Sequence, residues 1–231
     1  MALKLLPFKA AIVVTPTAAQ SGSAVQVFRL ENNTNGSVAV EVYAETWEVD
    51  ETGQEQNQSA RSDFSIFPAQ VVLPPRESRA VRVVWRGAAP EVERPFRLVA
   101  AQLPVDLKDS GDAGAGVRFL LRFKAALYIR PPGTVKSDIR IEKAEMQADG
   151  KLKLSLHNRG NAHAILRTPA VIVRMNDGRT EELSGTALES VEGENIHAGA
   201  KRVFAVPVPW GKRGGTQAVV TGADLRYDGT F

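Results

Sequence analysis

The sequence predicts an all-β protein built from two immunoglobulin-like β-sandwich domains. Three observations lead there. Apolar residues alternate with a period of two almost throughout, and no sustained 3.6-residue spacing marks a helix. Seven strand-like runs, rich in Val, Ile, Phe and Tyr, precede residue 131 and are separated by turn signals. Arg130-Pro131-Pro132-Gly133 then punctuates the chain, because two prolines remove two amide donors and no strand continues through them. The expected domains are residues 1–131 and 132–231, both of ordinary domain size.

In the first domain the runs lie near 8–14, 24–31, 38–47, 65–72, 79–86, 95–103 and 117–130. Val38, Val40 and Val42 alternate with Ala39, Glu41 and Tyr43; Val81, Val83 and Trp85 alternate with Ala80, Arg82 and Val84. A polar loop, Asp50–Asp63, turns at Thr52-Gly53. Pro68, Pro74 and Pro75 belong at the ends of the fourth run or on a sheet edge, where a missing N–H costs no ladder bond. Past the boundary, runs follow near 138–147, 151–157, 163–174, 179–184, 200–207 and 216–228, with Asp149-Gly150 and Asp177-Gly178 as hairpin turns.

Composition narrows the function. The absence of cysteine excludes thiol catalysis, Cys-ligated zinc and disulfides. No apolar run approaches the roughly 20 residues of a spanning helix, so no membrane insertion is expected. Pro7 and Lys9 break the N-terminal apolar stretch and leave Ala10–Val14, shorter than the roughly 7–15 residues of a signal-peptide core. The reading is a mature N-terminus from Ala2, with Met1 added or retained. Basic and acidic residues nearly balance at 29 and 26, and aromatics are sparse among the basic positions, so nucleic acid is not an expected partner. His157, His163 and His197 have no carboxylate or thiol at ligand spacing. Gly211–Gly215 lacks the phosphate-loop pattern, and Ser184 and Ser190 lack a nucleophile elbow. No metal, cofactor or enzymatic activity is expected.

The run Val117–Arg130 carries the most information. Val117, Phe119, Leu121, Phe123, Ala125, Leu127 and Ile129 form one apolar face; Arg118, Arg122, Lys124 and Arg130 make the other largely basic. At about 3.3 Å per residue such a strand extends roughly 45 Å, beyond what a small sandwich covers. Periodicity alone also fits a long core strand with a solvated outer face. The other reading is strand addition, in which Val117–Phe123 offers apolar side chains to a second protein while main-chain hydrogen bonds hold it. The glycine-rich polar segment Pro104–Gly116 would carry the strand's start away from the sandwich and is expected to be mobile until a partner binds. An apolar edge of this kind also offers a surface for self-association.

Several segments together resemble the PapD-like pilus chaperones. They are Phe96-Arg97-Leu98-Val99-Ala100-Ala101-Gln102-Leu103-Pro104, a polar loop, and the alternating strand that ends Leu127-Tyr128-Ile129-Arg130-Pro131. Ile66-Phe67-Pro68, Val72-Leu73-Pro74-Pro75 and Ser78-Arg79-Ala80-Val81-Arg82-Val83 look like the family's middle strands and the turn between them. The resemblance covers most of residues 24–131 and is weaker beyond 138, where His157-Asn158-Arg159-Gly160-Asn161 resembles a turn of the archaic and alternative branches. PapD is itself a standard example of the sandwich, and pilin assembly is one of strand complementation.

The resemblance implies two immunoglobulin-like domains in an L shape and a periplasmic chaperone. Such a chaperone lends its last first-domain strand to pilus subunits and delivers them to an outer-membrane usher. The donor positions would be Val117, Phe119, Leu121 and Phe123. Typical members also anchor the subunit's C-terminal carboxylate with one basic residue on the first strand and one on the last. Here the usual lysine position falls on Ala126, so Lys124, with Lys9 or else Lys4, is the candidate anchor. Glu93 and Arg130 fall on two positions of the family's interdomain ion network, and Lys212 stands where its aspartate is expected. These departures point to an archaic or alternative branch. A second reading keeps the sandwiches but makes the chain a structural or cell-surface pilus component without a chaperone role.

Overall fold

The computed structural model describes residues 3–105, 120–210 and 220–230. The chain forms two compact units, Met1–Glu48 with Asn57–Gly133, and Val49–Gln56 with Thr134–Phe231. The change of unit at Gly133 follows the Pro131-Pro132 pair, and part of the polar loop after the fourth strand groups with the second unit.

Among the described residues the first unit is a sandwich of nine strands: β1 (Leu3–Leu6), β2 (Lys9–Val13), β3 (Val25–Asn32), β4 (Val38–Thr46), β5 (Phe64–Phe67), β6 (Gln70–Leu73), β7 (Ser78–Trp85), β8 (Arg94–Gln102) and β9 (Arg122–Arg130). One sheet has the order β1-β3-β7-β5 and the other β2-β9-β8-β4-β6. The runs expected at 8–14 and 65–72 are each parts of strands that change sheet. The chain crosses at Pro7-Phe8 between β1 and β2, and at Pro68-Ala69 between β5 and β6. Proline cannot donate to a ladder, so each crossing falls where a strand has to end anyway. Both lateral edges of the sandwich are thus closed by one backbone shared between sheets. A short helix, α1 (Pro16–Ser21), interrupts the strands after β2. Thr15 caps it by accepting from Ala18 N–H, Pro16 opens it, and Gly22 ends it at φ 66°.

The core between the sheets is built from alternate residues: Phe28 and Leu30 of β3, Val40 and Val42 of β4, Val81 and Val83 of β7, and Leu127 and Ile129 of β9, all at most 1% exposed. Phe64, Trp85 and Phe96 form an aromatic cluster with centroids 5.0–5.5 Å apart in edge or tilted contact, the arrangement that ring quadrupoles favour. Trp85 Nε1–H donates to the Ala88 carbonyl at 3.0 Å, so its polar atom is satisfied.

The second unit comprises β10 (Ile139–Met146), β11 (Lys151–Asn158), β12 (Ala164–Met175), β13 (Thr180–Leu183), β14 (Asn195–Ile196), β15 (Lys201–Pro207) and β16 (Val220–Thr230). One sheet is β10-β11-β15; in the other β12 joins β13, β14 and β16. Their inner faces enclose a second core that includes Leu154, Leu156, Leu166, Val171 and Val206.

Among the described residues each unit carries one buried asparagine at a strand end, Asn32 of β3 and Asn158 of β11. Asn32 Nδ2 lies 2.8, 2.9 and 3.1 Å from the carbonyls of Gly36, Pro74 and Leu73, while its Oδ1 accepts from Thr34 N–H and Oγ1. Asn158 Nδ2 donates to the carbonyls of Ala162 and Ile196, and its Oδ1 accepts from Asp138 and Gly160 N–H. Each side chain therefore satisfies backbone groups of strand ends that have no ladder partner there.

On the outer face of β10, Glu142 occupies a register shift between Ile141 and Lys143. Its carboxylate meets His157 Nδ1 at 2.8 Å, Arg159 at 3.0 Å and Lys201 at 3.4 Å. Hydrogen bonds from His157 first, then Arg159, hold its pKa down at about 2.

Two outcomes follow from these polar groups. Asn32→Ala leaves several buried carbonyls unsatisfied and lowers stability by about 2–4 kcal/mol in a denaturant melt; Asn158→Ala does the same to the second unit. For Glu142, the folded pKa lies below the ordinary 4.5. Its stabilisation is complete above that value and is lost as pH falls toward about 2. Glu142→Gln should therefore flatten the acid limb of a stability–pH curve between those values.

Candidate functional site

β9 is paired unequally on its two edges. Along one, β8 runs antiparallel from Arg122↔Ala101 to Ile129↔Arg94. Along the other, β2 runs parallel but only from Lys9↔Ala126 to Val13↔Arg130. The ladder is extended by one bond at each end, Ala126 N–H to Phe8 C=O at 2.8 Å and Val14 N–H to Arg130 C=O at 2.9 Å. Beyond Phe8 the backbone turns at Pro7 and joins the opposite sheet as β1 against β3. The line of β2 thus stops level with Ala126, whereas β9 continues toward Arg122. On the β8 side the pairing runs past the strand's start, since Gln102 N–H donates to Leu121 C=O at 2.8 Å.

Pleat parity sorts the side chains of β9. Ala125, Leu127 and Ile129 are buried in the first core, and Leu121 and Phe123 pack partly buried against it. Two of the four donor positions therefore rest on the protein's own core in the isolated chain. Val117 and Phe119, and all but the first two residues of the Pro104–Gly116 segment, lie outside the described residues. On the opposite face, Tyr128 is 1% exposed and Ala126 8%, so the outer face of β9's second half is buried and not solvated as periodicity suggested.

Register assembles a cationic face there. Glu45, Arg97, Ala126 and Lys9 form one row across β4, β8, β9 and β2. Tyr43, Val99 and Lys124 form the next, and Glu41, Ala101 and Arg122 the one after. Paired residues share a side, so Lys9 and Lys124 project from the same face, one diagonal step apart, with Cα atoms about 8 Å apart from standard strand spacings. Two cations side by side on one face repel each other, less once salt screens them, and a carboxylate between them turns the net interaction attractive. Arg97 lies 3.4 Å over the ring of Trp47, whose centroid is 6.0 Å from that of Tyr128. Arg122 forms a tight hydrogen-bonded ion pair with Glu45 Oε1, and Lys124 Nζ lies 3.9 Å from Glu45 Oε2. Arg61 pairs with Glu41 at 3.1 Å and stacks over Tyr43 at 4.3 Å.

Arg97 and Glu45 escaped sequence reasoning. Both were visible as polar positions in alternating runs, but only the register between strands places them beside Ala126 and Lys124. Glu93 and Arg130 do meet: Arg130 Nε donates to Glu93 Oε2 at 2.6 Å, with the carboxylate side chain 1% exposed. Both belong to the first unit, and Lys212 lies outside the described residues. His163 and His197 are buried in the second unit, while His157 faces Glu142. Among the described residues no group of three or more His, Cys, Asp or Glu could hold a metal, and no helix is long and apolar enough to cross a membrane.

Residues 11–135 match the family model for the N-terminal domain of PapD, described as a pili and flagellar-assembly chaperone. No curated protein matches the chain. Among solved structures, the CsuC–CsuE chaperone–tip adhesion subunit complex from the archaic chaperone-usher Csu pili of Acinetobacter baumannii is similar with a TM-score of 0.62 and 14% identity, covering 98% of this chain and 97% of the other. The complex of SafA pilin with the SafB chaperone of Salmonella enterica gives 0.58 and 13%, covering 98% and 96%. The class 5 fimbriae chaperone CfaA gives 0.57 and 13%, covering 95% and 97%. At these identities the structures share a fold, and that fold extends over both units. With more than half of its residues inside the family model, the chain belongs to the PapD-like family of pilus-assembly chaperones.

Proposed function

We propose that this chaperone works in the periplasm, holds pilus subunits by lending them the segment Val117–Phe123, and hands them to an outer-membrane usher. The observation that carries the reading is the edge of β9 beyond Phe8. Because β2 stops level with Ala126, a client strand can take up β2's line along the first half of β9 and bond to its backbone. The apolar side chains at 117, 119, 121 and 123 would then enter the client's open core. Each gains about 1.5–3 kcal/mol on full burial. Leu121 and Phe123 have already realised part of that on the chaperone's own core, so their net gain on binding is smaller.

A client strand in that line ends against the start of β2. Its terminal carboxylate would meet Lys9 and Lys124, with Arg97 in the adjacent position of the row, and charge-assisted hydrogen bonds suit such a terminus. Ala126 in the usual lysine position, and Lys212 where an aspartate is usual, support placement in an archaic or alternative branch.

The test is co-expression with the subunit and usher genes of the same cluster, followed by affinity purification of the chaperone. The chaperone reading expects a soluble chaperone–subunit complex that binds the usher; a subunit whose solubility the chain does not change would favour the structural reading. Phe119→Glu places a charge in an apolar groove and should abolish subunit capture with an unchanged melting temperature. Lys9→Ala and Lys124→Ala should each weaken subunit binding by about tenfold, a loss of about 1.4 kcal/mol, whereas Arg118→Ala should change it little. Equal effects of Lys124→Ala and Arg118→Ala in a competition pull-down would remove Lys124 from the anchor.

A further inference from the structure

We infer that Glu45 is a resident carboxylate that occupies the anchor before the client arrives and is displaced by it. The inference rests on the anchoring reading above and adds the residue that sets its strength. Glu45 lies at the β4 end of the row that Lys9 begins, and its carboxylate reaches two cations of β9. One of its oxygens takes the Arg122 guanidinium and the other faces Lys124 Nζ at 3.9 Å. Across the sheet its register partner is Arg97, and Lys9 lies farther along the same row beyond Ala126. Its side chain is only 15% exposed, against 32% for Lys124 and 47% for Arg122. The carboxylate is thus held down on the sheet while the two cations reach to solvent.

The two contacts differ in kind. The Arg122 pair is hydrogen-bonded, so it fixes where Glu45 points. The Lys124 contact is a looser ion pair whose ammonium can swing to a second carboxylate by rotating its flexible stem. A client carboxylate arriving at Lys9 therefore competes with Glu45 for Lys124, and Arg122 retains Glu45 once Lys124 has moved. Without a client, the same contact lowers the cost of holding several cations on one face. With a client, it subtracts from the affinity and keeps binding reversible, which a protein that must release its cargo requires.

The test uses a fluorescein-labelled ten-residue peptide of alternating valine and threonine, made with a free C-terminal carboxylate and as the C-terminal amide. Binding to the full chain is followed by anisotropy. Glu45→Gln keeps the side chain's shape and a hydrogen bond to Arg122 but removes the competing charge. The preference for acid over amide should grow by roughly three- to tenfold over the wild type. The gain should shrink in high salt and vanish in Glu45→Gln/Lys124→Ala. Glu41→Gln removes an equal charge from the same face but from the Arg61 pair, and should leave the preference unchanged. An acid preference that is present in the wild type and no larger in Glu45→Gln, or an equal gain in Glu41→Gln, would overturn the role of Glu45. Absence of an acid preference in both wild type and Glu45→Gln would instead overturn the anchor itself, and with it this role.

Discussion

Everything proposed for this molecule depends on the unequal hydrogen bonding of β9. Its full length is fixed by β8, so the strand keeps its direction and pleat even where β2 no longer accompanies it. Rigid pairing on one edge sets which side chains face the core and which face the cations, and it does so without help from the second edge. An edge held straight in this way is preorganised for a further strand, so a partner does not have to supply the ordering entropy of the segment Arg122–Ala125.

The same economy appears at the sandwich margins. β1 with β2, and β5 with β6, each serve two sheets through one proline-punctuated crossing. Exposed edges invite pairing with other chains. Here the N-terminal crossing leaves the edge beside β9 available over a short distance and closes the rest. Polar closure of the strand ends is handled by Asn32 and Asn158, one in each unit, which gather carbonyl and N–H groups that the ladders leave over. The hydrogen bonds of both asparagines go to strand ends and turns and not to the cationic face.

Much of the fold was legible in the chain, because period-two alternation over Val38–Val42 and Val81–Trp85 is a direct consequence of pleat geometry. The proline brackets also marked real strand ends. The run at 65–72 concealed a change of sheet, and β1 (Leu3–Leu6), which lies before the run at 8–14, was not marked as a strand at all; a local pattern does not report which strand a residue pairs with. The helix at Pro16–Ser21 did carry its start and stop signals in Thr15, Pro16 and Gly22, but at six residues it was too short to show a period. For the site, Lys9 and Lys124 were visible as cations on alternating strands. Arg97 and Glu45 were not distinguishable from any solvated pair, because cross-strand register is a long-range property that a single sequence does not encode locally. The buried outer face at Ala126 and Tyr128 was missed for the same reason.

The crossing at Pro7 has a metrical consequence. Since β2's line ends where the proline turns the backbone away, the position of that residue decides how many residues of β9 remain for a partner. In the proposed complex Pro7 is a ruler: it sets the length of the borrowed strand from one end, while Lys9, two residues on, marks the zero of the scale. Two chaperones with the same β9 sequence but a differently placed proline would accept strands that differ in length by whole pleats, so that cargo register is written in the N-terminal strand and not in the strand that is lent.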